Sequence, residues 1–454
     1  MTVEHKSLAR GYLRKNLSLA WPLALNALLM QSMLIIDTLL VSPLGEVPLA
    51  ALGIASTVIA FFLGIQFAIG NGTQLMVGRI AGAGDAQGLR RTLSDGVLIS
   101  VTAALLFFVA IMVFSDDLVA LLTRDELLRA QAGVYLAITK YLLIASAISQ
   151  TFTVFLNGQG DTKTPFKVYL LEVPLNTVMS YLLIFGVQSL SFEGLGVAGA
   201  ALGSLAAVLF RLALLLKHIR KLPVVDGFRI KEQLAARQVK AQFHEILPIA
   251  TNFVVLSLGI TIYQLLFSQL EIYSYVAVTL VFPWLRIATQ IIVAWAQANS
   301  ISITQAIGQG NHTHLKPIVE SCIWLGLLMA CGVSLALFGF SLLVPVIYPK
   351  VEQQTLVAMA SIAPLYILLP LVRTYNTIAG NSLRAMGKSV QVLKVHFFAQ
   401  WLVVLPLCAL FVLYFELPLF WVFALLPAEE IIKAVPFYRM LRLSISQEPA
   451  RESV

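Results

Sequence analysis

Apolar positions in this chain gather into long runs rather than alternating. They fall near residues 17–41, 49–77, 93–115, 131–157, 165–187, 194–217, 245–268, 275–303, 318–347, 354–383, 391–414 and 417–437. A helix needs about 20 predominantly apolar residues to cross a bilayer, so each run predicts one membrane span. The expected fold class is an all-α polytopic membrane protein with twelve transmembrane helices. The first run is too long, and too closely followed by the next, to be a cleaved signal peptide.

Composition agrees with the pattern. Hydrophobic residues make up 59% of the 454 and charged residues 12%, against roughly 25% charged in a soluble domain. The net charge of +8 does not point to nucleic acid, because the basic residues lie in short connections between runs. Arg10, Arg14 and Lys15, then Arg79, Arg90 and Arg91, then Lys163, Lys167, Lys217 and Lys221 mark one side of the membrane; Glu46, Glu193, Glu271 and Glu416 mark the other. The positive-inside bias places both termini and every even-numbered connection in the cytoplasm. The expected location is the inner (plasma) membrane. Cys322, Cys331 and Cys408 all fall in apolar runs, which argues for inert core thiols rather than a disulfide framework.

The polar, basic stretch 218–244 separates two sets of six runs, giving an N-terminal lobe 1–217, a linker and a C-terminal lobe 245–454. Sliding the sequence by 226 residues places Pro22 on Pro248, Asn26 on Asn252, and Gly82 and Gly84 on Gly308 and Gly310. LNGQGDTKTPF after the fourth run has a weaker echo in SLRAMGKSVQV after the tenth. Two parallel six-helix repeats of this kind recur in transporter folds.

The run Leu17–Val41 holds one ionisable group, Asp37, together with Pro22 and the amides Asn26 and Gln31. A carboxylate inside a membrane span costs about 2.5–3.5 kcal/mol on insertion scales, so it is a functional candidate before a structural one; the structural alternative is an end-of-helix carboxylate reaching the headgroups. Gln66, Asn71 and Gln74 give the second run a polar face, suited to a cleft or to interhelical hydrogen bonds. Lys140 and Glu172 are expected as helix-flank or paired structural charges. Arg286 and Arg373 stand in C-terminal runs that contain no acid; they could favour anionic substrates, bind lipid headgroups or close a gate. Glu429, Glu430 and Lys433 are expected where the last span meets the cytoplasm. Met30, Met33, Phe61 and Phe67 suit an adaptable apolar surface, although core or lipid-facing packing accounts for most such residues.

Several stretches together resemble the multidrug and toxic compound extrusion (MATE) transporters: Pro22 to Asp37 followed by TLLVSPLGEVPLAALGIAS, then QLMVGRIAGAGDAQGLRR, FLNGQGDTKTPF, GLGVAGAALGS and AGNSLRAMGKS. Within that family the chain resembles the proton-coupled bacterial type and is similar to its DNA-damage-inducible subgroup. The resemblance implies two six-helix lobes around a central cleft and an ion-coupled antiporter that exports amphipathic, mostly cationic compounds. It implies that Asp37 takes the proton, that Asn157 and Asn176 surround it, and that Ser180 stands where some relatives carry a second carboxylate. Pro22 would let the first helix bend. Asn26, Gln31, Gln66, Asn71, Arg286 and Arg373 are candidates for the substrate cleft. Where a sodium-coupled subgroup carries a glutamate and an aspartate, this chain has Leu256 and Arg373, so the C-terminal lobe is expected to lack a carboxylate cluster for Na⁺.

A free aspartate titrates near about 3.9; taking a carboxylate out of water disfavours its charged form, which is what a proton carrier at cellular pH requires. The expected partners are small toxic organic compounds and membrane lipids, with no nucleic acid, no cofactor and no metal, the chain acting as a monomer. The open alternatives are Na⁺ held by Asp37 and neighbouring amides, or a lipid or glycolipid flippase. No P-loop, Ser–His nucleophile or metal-ligand spacing appears in the sequence, so an enzyme is disfavoured and the energy is expected from an ion gradient.

Overall fold

A computed structural model describes residues 3–187, 192–225 and 236–447. The middle of the predicted linker, 226–235, lies outside the described residues. Among them twelve long helices follow one another: α1 (Val3–Val41), α2 (Glu46–Gly82), α3 (Ala86–Ala120), α4 (Glu126–Gln159), α5 (Lys163–Phe185), α6 (Val197–Ile219), α7 (Ala236–Phe267), α8 (Ile272–Gly308), α9 (Leu315–Ile347), α10 (Gln353–Ala385), α11 (Ser389–Tyr414) and α12 (Leu419–Gln447). In α11 the stretches Phe398–Val404 and Leu410–Tyr414 are π-helical. A two-stranded antiparallel ribbon, Gly186–Val187 with Phe192–Glu193, follows α5.

Eleven of the helices are long and apolar enough to cross a membrane. The exception is α12, whose Glu429, Glu430, Lys433, Arg439 and Arg442 dilute its apolar character. Lipid cannot satisfy backbone polar groups, so helices that bond internally are the expected solution for such a composition. Large side chains such as Leu106, Met112, Trp324, Leu335 and Tyr414 lie exposed on the helix surfaces, as a hydrocarbon environment allows.

The sequence repeat reappears as backbone geometry. Gly84 (φ 70°) and Gly310 (φ 74°) both occupy the left-handed region that glycine tolerates. Around them Asp85 N–H donates to Ile80 O at 3.3 Å and Asn311 N–H to Ala306 O at 2.9 Å, the same reverse turn in both halves. The weaker echo also holds. Gly160 (φ 97°) closes α4 and Gly387 (φ 78°) closes α10, with Asp161 N–H on Leu156 O at 3.0 Å and Lys388 N–H on Leu383 O at 2.8 Å.

The chain forms two compact units, one of residues 25–250 and one of residues up to Ala24 with Thr251 onward. Their limits therefore fall inside α1 and α7, two residues beyond Pro22 and Pro248, and are separated by the 226 residues of the repeat. Helix α1 nevertheless continues through Pro22 to Val41. Its beginning packs in the second unit, where Leu19, Ala20 and Leu23 meet Trp295, Cys322 and Ile378. There the buried Asn16 donates to Cys322 Sγ at 3.1 Å and accepts from Ser302 Oγ at 2.7 Å. The beginning of α7 packs in the first unit, where Ile246 meets Ile69 and Ile99, and Gln242, the repeat counterpart of Asn16, donates to Thr92 O at 3.3 Å. Gly72 leaves the room Ile246 needs, since a Cβ there would lie 2.9 Å from its side chain.

Candidate functional site

Close packing of α5 on α6 prepares the candidate site. Gly199 and Gly203 recur four residues apart on α6, and a Cβ at either would lie 2.4 Å from α5, on the Leu183 backbone and the Ser180 hydroxyl respectively. Small residues at this spacing let membrane helices approach without a hydrophobic driving force. The approach brings Ser180 of α5 and Ser204 of α6 onto the last turn of α1, and there they meet Asp37.

Asp37 is 6% exposed. Ser180 donates its hydroxyl to Oδ1 at 3.2 Å, and Ser204 donates to Oδ2 at 2.9 Å. Asn176 stands behind both, its Nδ2 3.5 Å from the Ser180 oxygen and 3.4 Å from the Ser204 oxygen. Among the described residues no basic side chain pairs with Asp37. The carboxylate is thus removed from water and held by hydroxyls alone. A hydroxyl can donate to a carboxylate or accept from a carboxylic acid, so this set serves both protonation states.

The expected set is partly reassembled here. Ser180 touches the acid directly, whereas Asn176 acts through the two hydroxyls. Asn157 is not part of the site. It lies in the last turn of α4, beside the turn into α5, while Ser180 is 17 residues into α5, about 25 Å along a helix axis at 1.5 Å per residue. Asn157 instead packs among residues at the far end of the unit, its Oδ1 buried without a hydrogen-bond partner. Ser204 was not anticipated; the signal was present in GLGVAGAALGS, where a lone hydroxyl follows the small-residue stripe.

Among the cleft candidates, Gln66 donates to the backbone carbonyl of Leu143 at 3.0 Å, an interhelical tie between α2 and α4. Asn26 is buried with its Oδ1 unpartnered. Gln31 and Asn71 are half-buried and Arg286 is exposed. Pro22 is buried within a continuous helix. Lys140 lies over the rings of Phe108 and Tyr141, at 5.4 and 5.6 Å from their centroids. Glu172 is paired: Arg211 Nη1 reaches both of its oxygens, at 2.9 and 3.1 Å. Arg211 also donates to Ser149 at 3.2 Å and stacks over Tyr169. This ion pair joins α5 to α6 one turn from Asn176 and two turns from Ser204.

The C-terminal half requires a correction. Glu429, Glu430 and Lys433 do not mark a membrane boundary. They are buried within α12, 6%, 8% and 5% exposed, and they pair with one another. Lys433 Nζ lies 2.9 Å from Glu429 and 3.0 Å from Glu430. Tyr263 donates to Glu429 at 2.7 Å and Asn376 to Glu430 at 2.8 Å. Arg373 has its acid partner on another helix, its Nε 3.8 Å from Glu430, and remains half exposed. Lysine and glutamate three and four residues apart on one helix face pair readily, so the spacing did carry this arrangement. Among the described residues no group of three or more His, Cys, Asp or Glu side chains could hold a metal ion.

Among the described residues, twelve long helices in two repeats, eleven of them long and apolar enough to cross a membrane, define the class of a polytopic membrane protein with a buried acid in each half. The MatE family profile matches residues 22–182 and 248–410, one match per half, and the chain belongs to this family. It is 27% identical over 296 residues to the "Probable multidrug resistance protein NorM" of Rhizobium meliloti (strain 1021), a match covering 64% of this chain and 62% of that protein. It is 23% identical over 390 residues to the "Probable multidrug resistance protein YoeA" of Bacillus subtilis (strain 168), covering 83% and 82%. Its fold matches the solved structure described as "Outward-facing conformation of a multidrug resistance MATE family transporter of the MOP superfamily", with a TM-score of 0.84 at 18% identity over the whole of both chains.

Proposed function

We propose that this chain is a secondary antiporter of the inner membrane that exports amphipathic, mostly cationic organic compounds in exchange for protons, with Asp37 as the proton carrier. One observation carries the reading: a buried carboxylate held only by Ser180 and Ser204, with no basic partner among the described residues. A carboxylate already paired with lysine or arginine is a poor carrier, because protonation would strand the cation. Asp37 has no such obligation. Neutralised, it asks little of the two hydroxyls; charged, it attracts a cationic compound. Proton and drug thus compete for one negative charge, which is the minimum logic of exchange. The multidrug names of the relatives support the substrate class, and the concentration of lysine and arginine on one side supports cytoplasmic termini.

The test is efflux of ethidium from proteoliposomes under a pH gradient or a Na⁺ gradient, for the wild type and Asp37→Asn. Transport driven by pH alone and abolished in the variant is expected. A response only to Na⁺ would recast Asp37, Ser180 and Ser204 as oxygen ligands of a metal ion. Indifference to both gradients would leave lipid flipping as the reading to pursue.

A further inference from the structure

On the outer side of the α5–α6 pair, at the end carrying the basic connections, lies a cavity of about 240 Å³ that transport through Asp37 does not use. It is lined by Thr164, Lys167, Val168 and Leu171 of α5, by Leu214, Lys217 and His218 of α6, and by Lys221 just beyond. The lining is graded along the helices. Lys167 belongs to the opening turns of α5 and Lys217 to the last turn of α6, so three ammonium groups and an imidazole share one end. Val168, Leu171 and Leu214 form the wall deeper along the same two helices. Lys167, Lys217 and Lys221 are exposed, and among the described residues none is paired with a carboxylate. The acid close by is Asp161, 3.9 Å from His218, and it is already engaged at the start of α5, accepting from Thr164 N–H at 3.0 Å.

Scattered surface lysines would need only the positive-inside rule. Here a cavity gathers three of them beside the apolar Val168, Leu171 and Leu214, with Leu170 and Leu171 exposed on the adjoining helix surface. A cationic mouth above an apolar wall complements a molecule with an anionic phosphate at one end and hydrocarbon at the other. Basic pockets between transmembrane helices bind anionic headgroups in this way. We propose that the α5–α6 cavity is a binding site for an anionic phospholipid, its phosphate held by Lys167, Lys217 and Lys221 and an acyl chain lying on Leu171 and Leu214. The site spans the two helices that present Ser180 and Ser204, so an occupied cavity clamps them together at the end remote from Asp37.

The test is a thermal-shift titration of the purified full chain in neutral detergent with phosphatidylglycerol, phosphatidylcholine or inorganic phosphate. Saturable stabilisation by phosphatidylglycerol alone is expected. Replacing Lys167, Lys217 and Lys221 together by Gln should weaken the apparent affinity by on the order of a hundredfold, from roughly fivefold per lysine. The equally cationic Lys163 and Arg220, exposed but outside the cavity lining, serve as the control pair, and Lys163→Gln with Arg220→Gln should leave the affinity within about twofold. Should the triple variant fail to fold, each single lysine variant still carries its fivefold. An unweakened triple variant, or equal weakening in the control pair, overturns the site in favour of diffuse charge attraction. Stabilisation by inorganic phosphate to the same extent overturns the lipid in favour of a free anion.

Discussion

The two halves bury acid in opposite ways. The 226-residue shift that carries Gly84 onto Gly310 also carries Asp37 onto Tyr263, whose hydroxyl donates to Glu429 of α12. In the N-terminal half the acid is on the first helix and a hydroxyl on the sixth; in the C-terminal half the hydroxyl is on the first helix of the repeat and the acids are on the last. Acid and hydroxyl have exchanged helices, and one further residue separates their behaviour. Lys433 lies 2.9 and 3.0 Å from the two glutamates and cancels charge internally, while the serines around Asp37 cancel none. A buried pair is costly to break and inert while intact; a lone buried carboxylate is the reverse. The comparison teaches that position in a repeat is inherited, whereas responsiveness depends on whether the countercharge is built in.

Removing Lys433 should produce the largest effect. Lys433→Met leaves two buried carboxylates with only the half-exposed Arg373, 3.8 Å from Glu430, and breaking such a pair costs about 3–5 kcal/mol. A marked fall in melting temperature in detergent is expected, largely restored when Glu429→Gln and Glu430→Gln are added. A Lys433→Met protein as stable as wild type would mean that the cluster is not compensated as described. Gly203→Ala comes next, because its Cβ would enter the Ser180 hydroxyl at 2.4 Å and the Ser180 backbone at 2.7 Å; overpacking of this kind costs about 1–3 kcal/mol. Drug efflux should fall with stability, and a fully active variant would show that α5–α6 proximity does not define the site.

The serines come third. Ser204→Ala removes the shorter bond to Asp37 and Ser180→Ala the longer one. Each hydrogen bond is worth about 1 kcal/mol, roughly fivefold in transport rate, with Ser204 the more damaging. An inverted order would assign the closer coupling to α5. The smallest effect on stability belongs to Asp37→Asn. It removes an uncompensated charge at nearly constant volume, so its melting temperature should stay at or above that of wild type while coupled transport is lost. A large destabilisation would mean that Asp37 has a structural countercharge after all.

The architecture was legible because a bilayer imposes a length on apolar runs, and because the glycine turns at Gly84 and Gly310 cannot tolerate most other residues. Asp37 was legible for the same reason: a charge is conspicuous where solvent is absent. What surrounds it was not. Asn157 and Asn176 carry the same side chain, and only their places along α4 and α5 decide that Asn176 backs the two serines on Asp37 while Asn157 lies at the opposite end. Ser204 is an ordinary residue until Gly199 and Gly203 draw α6 onto α5. Glu429, Glu430 and Lys433 looked like a span boundary because three charges near the end of a run ordinarily are one. Their burial follows from partners far away in sequence, Tyr263 and Asn376. Arg211 shows the same dependence, since its value in an apolar run appears only with Glu172 opposite.

The limits of the two compact units, at Ala24 and Ala250, bear on how such a molecule can be divided. A cut in the 218–244 connection would look innocuous, since it falls between the two repeats. Yet the first fragment would carry the opening of α1 without Trp295 and Cys322 to receive it, and would lack the opening of α7 that fills the space beside Gly72. The second fragment would be short of the same pieces in reverse. Each half is thus a lender and a borrower. The expected product of expressing the halves separately is two incomplete folds, and co-expression is the arrangement in which the borrowed segments find their places.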